Sequence, residues 1–500
     1  MPPCLRQQQA LRRDRPLCTL ALVSRARRDP AMVQHKRPAA GSPRCIAPTT
    51  GSYDMHVTMI FPGIALPGFD SFGKKPTIDA NFIDHGLASL SAAAKAGSHT
   101  VDLIDLRMLR DWTHFREEIR RRATKIWAFT SWSLHYPDVV RAIRILKEER
   151  EDAVVVLGGV HATIKTQQVI ANRLIDHIIT QEGEISFVKL LDTLAAGKPA
   201  DRLIVGEGPV LDEIPWVDRD LFDMRGELAT PMVPGMPTPF VTTNAGRGCP
   251  FKCNFCQPAE RAVFGNRIKM RSQENVIDEL RYLKERFKFN SWMAHDDLFF
   301  INHRWSREFC VQYTAAGFTE PYICQMRADL MCRYPDVVKQ MAESGLAWAM
   351  IGFESGSQRI LDLFEKETTV EENLKAAAMC KEYGIKVWAN IMFGAPTETR
   401  SEVMETVRMV WKIKPDHLSS SYFTPTPGSG MAEEVERKGL TMVDPFNSSN
   451  RTPNEAKMKD TDYEWLTKAI ALAYDGGSEE RLIALGQLPT KHQETSCASH

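Results

Sequence analysis

Phe240-Val-Thr-Thr-Asn-Ala-Gly246-Arg-Gly-Cys249-Pro-Phe-Lys-Cys253-Asn-Phe-Cys256 decides how the rest of this chain is read. Residues 240–244 are rich in aromatic and β-branched side chains, which favour a strand, and glycine and proline then turn the chain into a loop bearing three thiols. Three thiolates on one loop can each ligate one iron of a cubane, leaving the fourth iron without a protein ligand and open to a small molecule. The competing reading is structural zinc, which wants four closed ligands and usually a second Cys or His pair. No second CxxC or HxxxH follows, and Cys310, Cys324 and Cys332 are widely spaced. Unrelated thiols are the third reading.

Working outward, strand candidates recur at 240–244, 291–295, 322–326, 347–353, 387–393 and 417–422, with amphipathic stretches between them. Six βα units across 240–430 make a partial (β/α)6 barrel the economical architecture, with chemistry at the carboxyl ends of its strands. Upstream, strands at 56–61, 100–106, 126–131 and 153–157 alternate with helices at 83–97, 113–124 and 137–150. That alternation implies a second parallel, Rossmann-like α/β domain over 55–200. Its ligands would sit beyond the strand ends, at Pro62-Gly63, Asp105, Ser131-Trp132-Ser133 and Gly158-Gly159-Val160-His161. Residues 201–239, rich in Pro, Gly and Asp, read as a linker. Residues 431–500 read as a small C-terminal region with one helix at 462–473 and a polar tail at 489–500. Trp348, Met350 and Phe353 are expected in the core.

The chain has 500 residues, 43% hydrophobic and 25% charged, enough for two or three cores. Lys+Arg and Asp+Glu are 63 each, so no net positive field recruits nucleic acid or an anionic membrane. The longest apolar runs stop far short of the roughly 20 residues of a membrane span. Eleven cysteines, an odd number at low density, point to reduced thiols and a cytoplasmic protein. Residues 1–54, with Cys4, Cys18 and Cys45, are rich in Arg, Pro, Ala and Ser. They read as a disordered leader or an over-long start, with Met55 as an alternative initiator.

The CxxxCxxC spacing with an aromatic, Phe255, before the last cysteine resembles the signature of radical S-adenosylmethionine (SAM) enzymes. The resemblance spans 240–426 and implies a [4Fe–4S] cluster on Cys249, Cys253 and Cys256 that binds and reductively cleaves SAM to a 5′-deoxyadenosyl radical. It implies SAM contacts at successive strand ends. Asp296 or Asp297 of His295-Asp-Asp would meet the amino group, Arg327 of Gln325-Met-Arg the carboxylate, and Glu354-Ser355 of Gly352-Phe-Glu-Ser-Gly the ribose. Gly394 and Pro396 of Gly394-Ala-Pro-Thr-Glu-Thr would lie near the adenine. Alone, each segment has an ordinary reading: an Asp-Asp pair is commonly a solvated turn, and Glu354 could cap the following helix.

Residues 56–195 resemble the domain that precedes the barrel in cobalamin-binding radical SAM proteins, including cobalamin-dependent methylases and anaerobic magnesium-protoporphyrin monomethyl ester cyclases. The matching positions are Ile104-Asp105, Ser131, Ser133, Gly158, Gly159, His161 and Glu182-Gly-Glu184. Gly158-Gly159 would let the backbone approach a bulky ligand, and the hydroxyls would meet its nucleotide tail. The DxHxxG motif that supplies an axial histidine to cobalt is absent, since Asp84-His85-Gly86 has the wrong spacing. His161 is therefore expected to be structural or near the tail.

The resemblance implies hydrogen abstraction from an unactivated carbon of a small-molecule substrate, then methyl transfer from methylcobalamin, with electrons from a reductant such as flavodoxin or ferredoxin. Radical oxidative cyclisation or rearrangement without methylation is the second reading. A non-catalytic cobalamin or iron–sulfur sensor is the third, disfavoured because a pure binding module needs no open iron.

Overall fold

A computed structural model describes residues 54–62, 82–256, 259–440, 458–459 and 461–488, all within one compact unit. The expectations for the leader at 1–53, for Gly63 and for the polar tail at 489–500 lie outside the described residues.

The first sheet contains β1 (His56–Phe61), β2 (Thr100–Asp105), β3 (Ile126–Thr130), β4 (Val154–Gly158), β5 (His177–Thr180) and β6 (Leu203–Val205). All pairings are parallel and the order is β2-β1-β3-β4-β5-β6. The order reverses between β1 and β3, which opens a crevice at the carboxyl ends. The strands read as nearly unbroken apolar runs because both faces are covered. Trp127 and Phe129 pack to one side with Phe115 and Ile143, while Ile126 and Ala128 pack to the other with Leu87 and Phe187.

Next come β7 (Phe240–Thr243), a two-stranded ribbon of β8 (Gly246–Arg247) and β9 (Lys269–Met270), and then β10 (Ser291–Ala294) and β11 (Tyr322–Met326). β12 (Leu346–Glu354), β13 (Lys386–Phe393) and β14 (His417–Tyr422) complete the second sheet. Its order, β7-β10-β11-β12-β13-β14, is sequential and parallel, and β7 does not pair with β14. This is the expected open six-stranded (β/α) barrel. Val241, Trp292, Tyr322, Ala349 and Val387 face the helices, and Phe240, Met293, Ile323 and Trp348 face inward. Val233 and Met236 close the barrel floor. Trp348 and Phe353 are buried and Met350 packs against the inner cluster, as expected.

The stretch 201–239 is more than a passive connector. It adds β6 to the first sheet and delivers two buried ions, Arg219 and Glu227. Arg219 Nη2 donates to Thr242 O at 2.6 Å, and its guanidinium lies 3.5 Å from Glu227 and 3.3 Å from Glu279. Glu227 accepts from Thr242 N and from Ile83 N. The polarity that reads as a solvated linker belongs to an internal joint between the first barrel strand and the N-terminal sheet. The C-terminal helix Tyr463–Asp475, capped by Asp462, covers the helix Arg400–Ile413 through Trp411 Nε1 bonded to Leu472 O.

Candidate functional site

The cysteine loop leaves β7 through Asn244 and Ala245 and is bracketed by the β8–β9 ribbon. A side chain at Gly246 would meet Met270 Sδ at 2.5 Å and Lys269 O at 2.9 Å, so the ribbon closes only over glycine. Asp296, at the end of β10, fixes this entry. Its carboxylate accepts Ala245 N at 3.0 and 3.1 Å and Gly246 N at 2.5 Å. Burial pushes the Asp296 carboxyl up to about 7 against those bonds. Of the two aspartates expected to meet a SAM amino group, Asp296 is thus engaged with backbone, while Asp297 is exposed.

Cys249 and Cys253 are half-buried and Cys256 is exposed, with Cys256 N bonded to Cys253 O across the turn. Among the described residues, no three His, Cys, Asp or Glu side chains lie close enough together to share a metal ion, the loop cysteines included. The donor chemistry suits an iron–sulfur cluster, since three soft thiols ride on one loop. Phe255 turns away from solvent onto Phe364, ring centroids 4.7 Å apart.

Arg327 reaches this loop from the end of β11. Its Nη1 lies 3.5 Å from Cys253 Sγ, its Nη2 donates to Lys366 O at 2.6 Å, and its guanidinium sits 3.5 Å over the Phe251 ring. Asp329 binds its Nε at 2.9 Å. Glu354, beyond a bulge in β12, holds a left-handed backbone at φ +62° and pairs with Lys366 Nζ at 3.4 Å. A non-glycine residue in that region is strained. Gly352 leaves room for the pair, since a Cβ there would stand 2.3 Å from Glu354 Oε1.

Ser355, expected on a ribose, is fully buried. It shares a hydrogen bond with Thr406 Oγ1 at 3.1 Å and accepts Ser357 N. Gly394, at φ +77°, starts a turn closed by Glu398, whose Oε2 accepts Gly394 N at 2.6 Å and Ala395 N at 3.1 Å. Pro396 lies within that turn, partly buried. Thr399 caps the next helix in a reciprocal box with Glu402.

At the first sheet, a cavity of about 350 Å³ lies between the carboxyl ends of β3, β4 and β5 and the barrel's first strand. Thr130, Gly158 and Gly159 line it from one side, and Thr243, Gly246 and Arg247 from the other. The glycine at 159, φ +93°, answers to protein rather than to a ligand: a Cβ would lie 2.7 Å from Thr130 Oγ1 and 2.9 Å from Ser131 N. Ser131, Ser133 and His161 do not line the cavity. Ser131 Oγ donates to Trp132 O, Ser133 Oγ meets His161 Nδ1 at 3.1 Å, and His161 stacks on Tyr136 at 4.0 Å. Burial drives His161 down to about 4, leaving it neutral. His85 does line the cavity, its Nε2 2.8 Å from Thr242 Oγ1.

Sequence reasoning passed over Arg247. Its Nη1 binds Glu182 at 2.9 Å and its Nη2 binds Glu184 at 2.6 Å, and Lys269 adds a bond to Glu182 at 2.7 Å. Burial pushes Glu184 upward, and Arg247 and Ser89 outweigh it, holding the carboxyl below the usual range. The acid pair Glu182-Gly-Glu184 stands out in the sequence; its partner in the Gly-Arg-Gly of the cysteine loop does not.

Residues 243–410 match the family model described as the radical SAM superfamily, and residues 77–191 that of the B12 binding domain. An uncharacterized methyltransferase of Pyrococcus horikoshii is 26% identical over 78% of this chain and 86% of its own length. An anaerobic magnesium-protoporphyrin IX monomethyl ester cyclase of Cereibacter sphaeroides is 25% identical over 76% of this chain and 64% of its own length. The hopanoid C-3 methylase of Methylococcus capsulatus is 25% identical over 72% of this chain and 70% of its own length. In fold, the chain is similar to the radical SAM methyltransferase TsrM of Kitasatospora setae, with cobalamin and a [4Fe–4S] cluster bound, at a TM-score of 0.59 and 15% identity, covering 85% of this chain and 90% of that one. It is also similar to the cobalamin-dependent radical enzyme OxsB, at a TM-score of 0.65 and 14% identity, covering 89% and 70%. The chain thus carries a B12-binding domain leading into a radical SAM domain, the arrangement of a cobalamin-dependent radical SAM enzyme that uses a [4Fe–4S] cluster, SAM and cobalamin.

Proposed function

We propose that this enzyme methylates an unactivated carbon of a small molecule, taking a hydrogen atom from that carbon by radical chemistry. When bound, the cluster and SAM supply a 5′-deoxyadenosyl radical, and cobalamin supplies a transferable methyl group. The observation that carries the reading is a shared wall: Gly246 and Arg247, the stem of the cysteine loop, also line the cavity at the end of the N-terminal sheet. A methyl carrier seated there would stand next to the source of the radical.

Cys249, Cys253 and Cys256 would ligate three irons. Asp296 holds the backbone entry of their loop, and Phe255 seals one flank against Phe364. Glu354 with Lys366, and the turn Gly394 to Pro396 stapled by Glu398, offer one charged pair and one rigid polar turn to SAM. Ser131, Ser133 and His161 hold the loops around Gly158 and Gly159, whose backbone forms the cavity floor toward cobalamin. We place the enzyme in the cytoplasm, where thiols stay reduced and a flavodoxin- or ferredoxin-like donor is at hand. No helix among the described residues is long and apolar enough to cross a membrane.

Anaerobic reconstitution, reduction and mass spectrometry of the SAM products test this reading. Methylation predicts 5′-deoxyadenosine together with S-adenosylhomocysteine once a substrate is present. The likeness to the cyclases favours a second reading, oxidation or ring closure without methylation; 5′-deoxyadenosine without S-adenosylhomocysteine would support it and overturn ours.

A further inference from the structure

We propose that Arg327 sets the reduction potential of the cluster on Cys249, Cys253 and Cys256, an inference that rests on that cluster assignment. The guanidinium is 7% exposed and fixed on three sides: by Lys366 O at 2.6 Å, by Asp329 at 2.9 Å and by the face of Phe251. Its remaining edge points at Cys253 Sγ, 3.5 Å from Nη1. These contacts leave Arg327 poorly placed to travel to a SAM carboxylate, the role its position at the end of β11 suggests.

A cation held beside a ligand thiolate acts on electron entry through charge and through an N–H···S hydrogen bond, two of the levers that set cluster potentials. One electron arrives from an external donor and no bond to carbon forms or breaks, so the cluster gains one negative charge. The guanidinium stabilises the more negative state and raises the potential. Asp329 works against it, because its carboxylate cancels part of the charge that Arg327 presents. The same arginine touches Lys366, the partner of Glu354, and so joins the cluster ligand to the charged pair proposed for SAM.

The test is EPR-monitored potentiometry with dithionite on the anaerobically reconstituted full chain. Arg327→Met should lower the reduced-to-oxidised ratio at fixed potential about tenfold, a shift of ~59 mV to the negative side for a one-electron couple. Arg327→Lys should recover part of that shift, and Asp329→Asn should move the potential the other way. A purely structural role would change iron content or signal amplitude and would not produce opposed shifts. Unmoved potentials, or shifts of one sign in Arg327→Met and Asp329→Asn, overturn the proposal. If Arg327→Met takes up no iron, Asp329→Asn decides alone, and an unchanged or more negative potential there overturns it. A wild-type chain without a cluster signal overturns the cluster assignment and the proposal with it, whereas a normal cluster with unmoved potentials overturns the proposal alone.

Discussion

At the carboxyl ends of β3 and β4 in the first sheet the loops are pinned by neutral groups: Ser133 on a neutral His161, and Gly159 packed against the backbone of Ser131. At the same end of the barrel they are pinned by ionisable ones: Asp296 on the cysteine-loop amides, Arg327 between Asp329 and Cys253, Glu354 on Lys366. In both regions most motif side chains hold a loop in shape, and much of the surface left for a ligand is backbone or a residue from the other region. The difference in charge suits the two tasks. A large organic cofactor needs a close-fitting floor, whereas a cluster and a zwitterion need fixed charges around them.

The largest expected effect breaks the ionic region alone. Replacing Cys249, Cys253 or Cys256 by Ala should abolish the reduced-cluster EPR signal, while Cys310→Ala, a buried thiol packed in the barrel's outer core, should leave it. Iron content equal to wild type in all three loop variants would remove the cluster assignment.

The next effect strikes both regions through their joint. Arg247→Met leaves Glu182 and Glu184 without their shared partner in a largely buried place, a loss of about 3 kcal/mol of stability. Chemical denaturation should read that loss, and both iron and cobalamin content should fall together. If only one falls, the two regions are independent and the shared wall is incidental. Gly159→Val sharpens the comparison from the neutral side. It forces a side chain at φ +93° within 3 Å of Thr130 and Ser131, at a cost of about 2–3 kcal/mol. Cobalamin uptake should drop while the cluster persists.

Much of this was legible in the sequence because buried parallel strands announce themselves as apolar runs. β11 and β14 have the bounds that periodicity gave, and the remaining barrel strands deviate by one or two residues. β6 was not legible: Leu203–Val205 is three residues long with both end residues exposed. Nor were Arg219 and Glu227, since buried charges in a Pro- and Asp-rich stretch look like solvated loop until their partners are seen. The same holds for Arg247, which stands 65 and 63 residues from Glu182 and Glu184, with no local pattern to join them. Ser355 and Asp296 sat where motif reasoning put them, but position in a motif does not say which way a side chain bonds.

The smallest effect tests whether the barrel's helix caps are ionic as well. Arg359 and the Thr399 cap hold Glu402 down to about 2 against burial. A depressed carboxyl stabilises above its unfolded value, near 4.5, and that stability is lost as pH falls toward 2. Glu402→Gln should cost about 1 kcal/mol at neutral pH and flatten this acid limb in pH-dependent unfolding. A limb as steep as wild type would assign it to other carboxylates.

The most direct test of the central claim follows the methyl group and needs no known substrate. The reduced, cobalamin-loaded chain is given SAM labelled in its methyl carbon, and the cobalamin is then isolated and weighed by mass spectrometry. The expected result is label on cobalamin in wild type, and far less in Gly159→Val because the cofactor itself is missing. Cobalamin that is bound and reduced yet stays unlabelled would contradict methyl transfer through this domain.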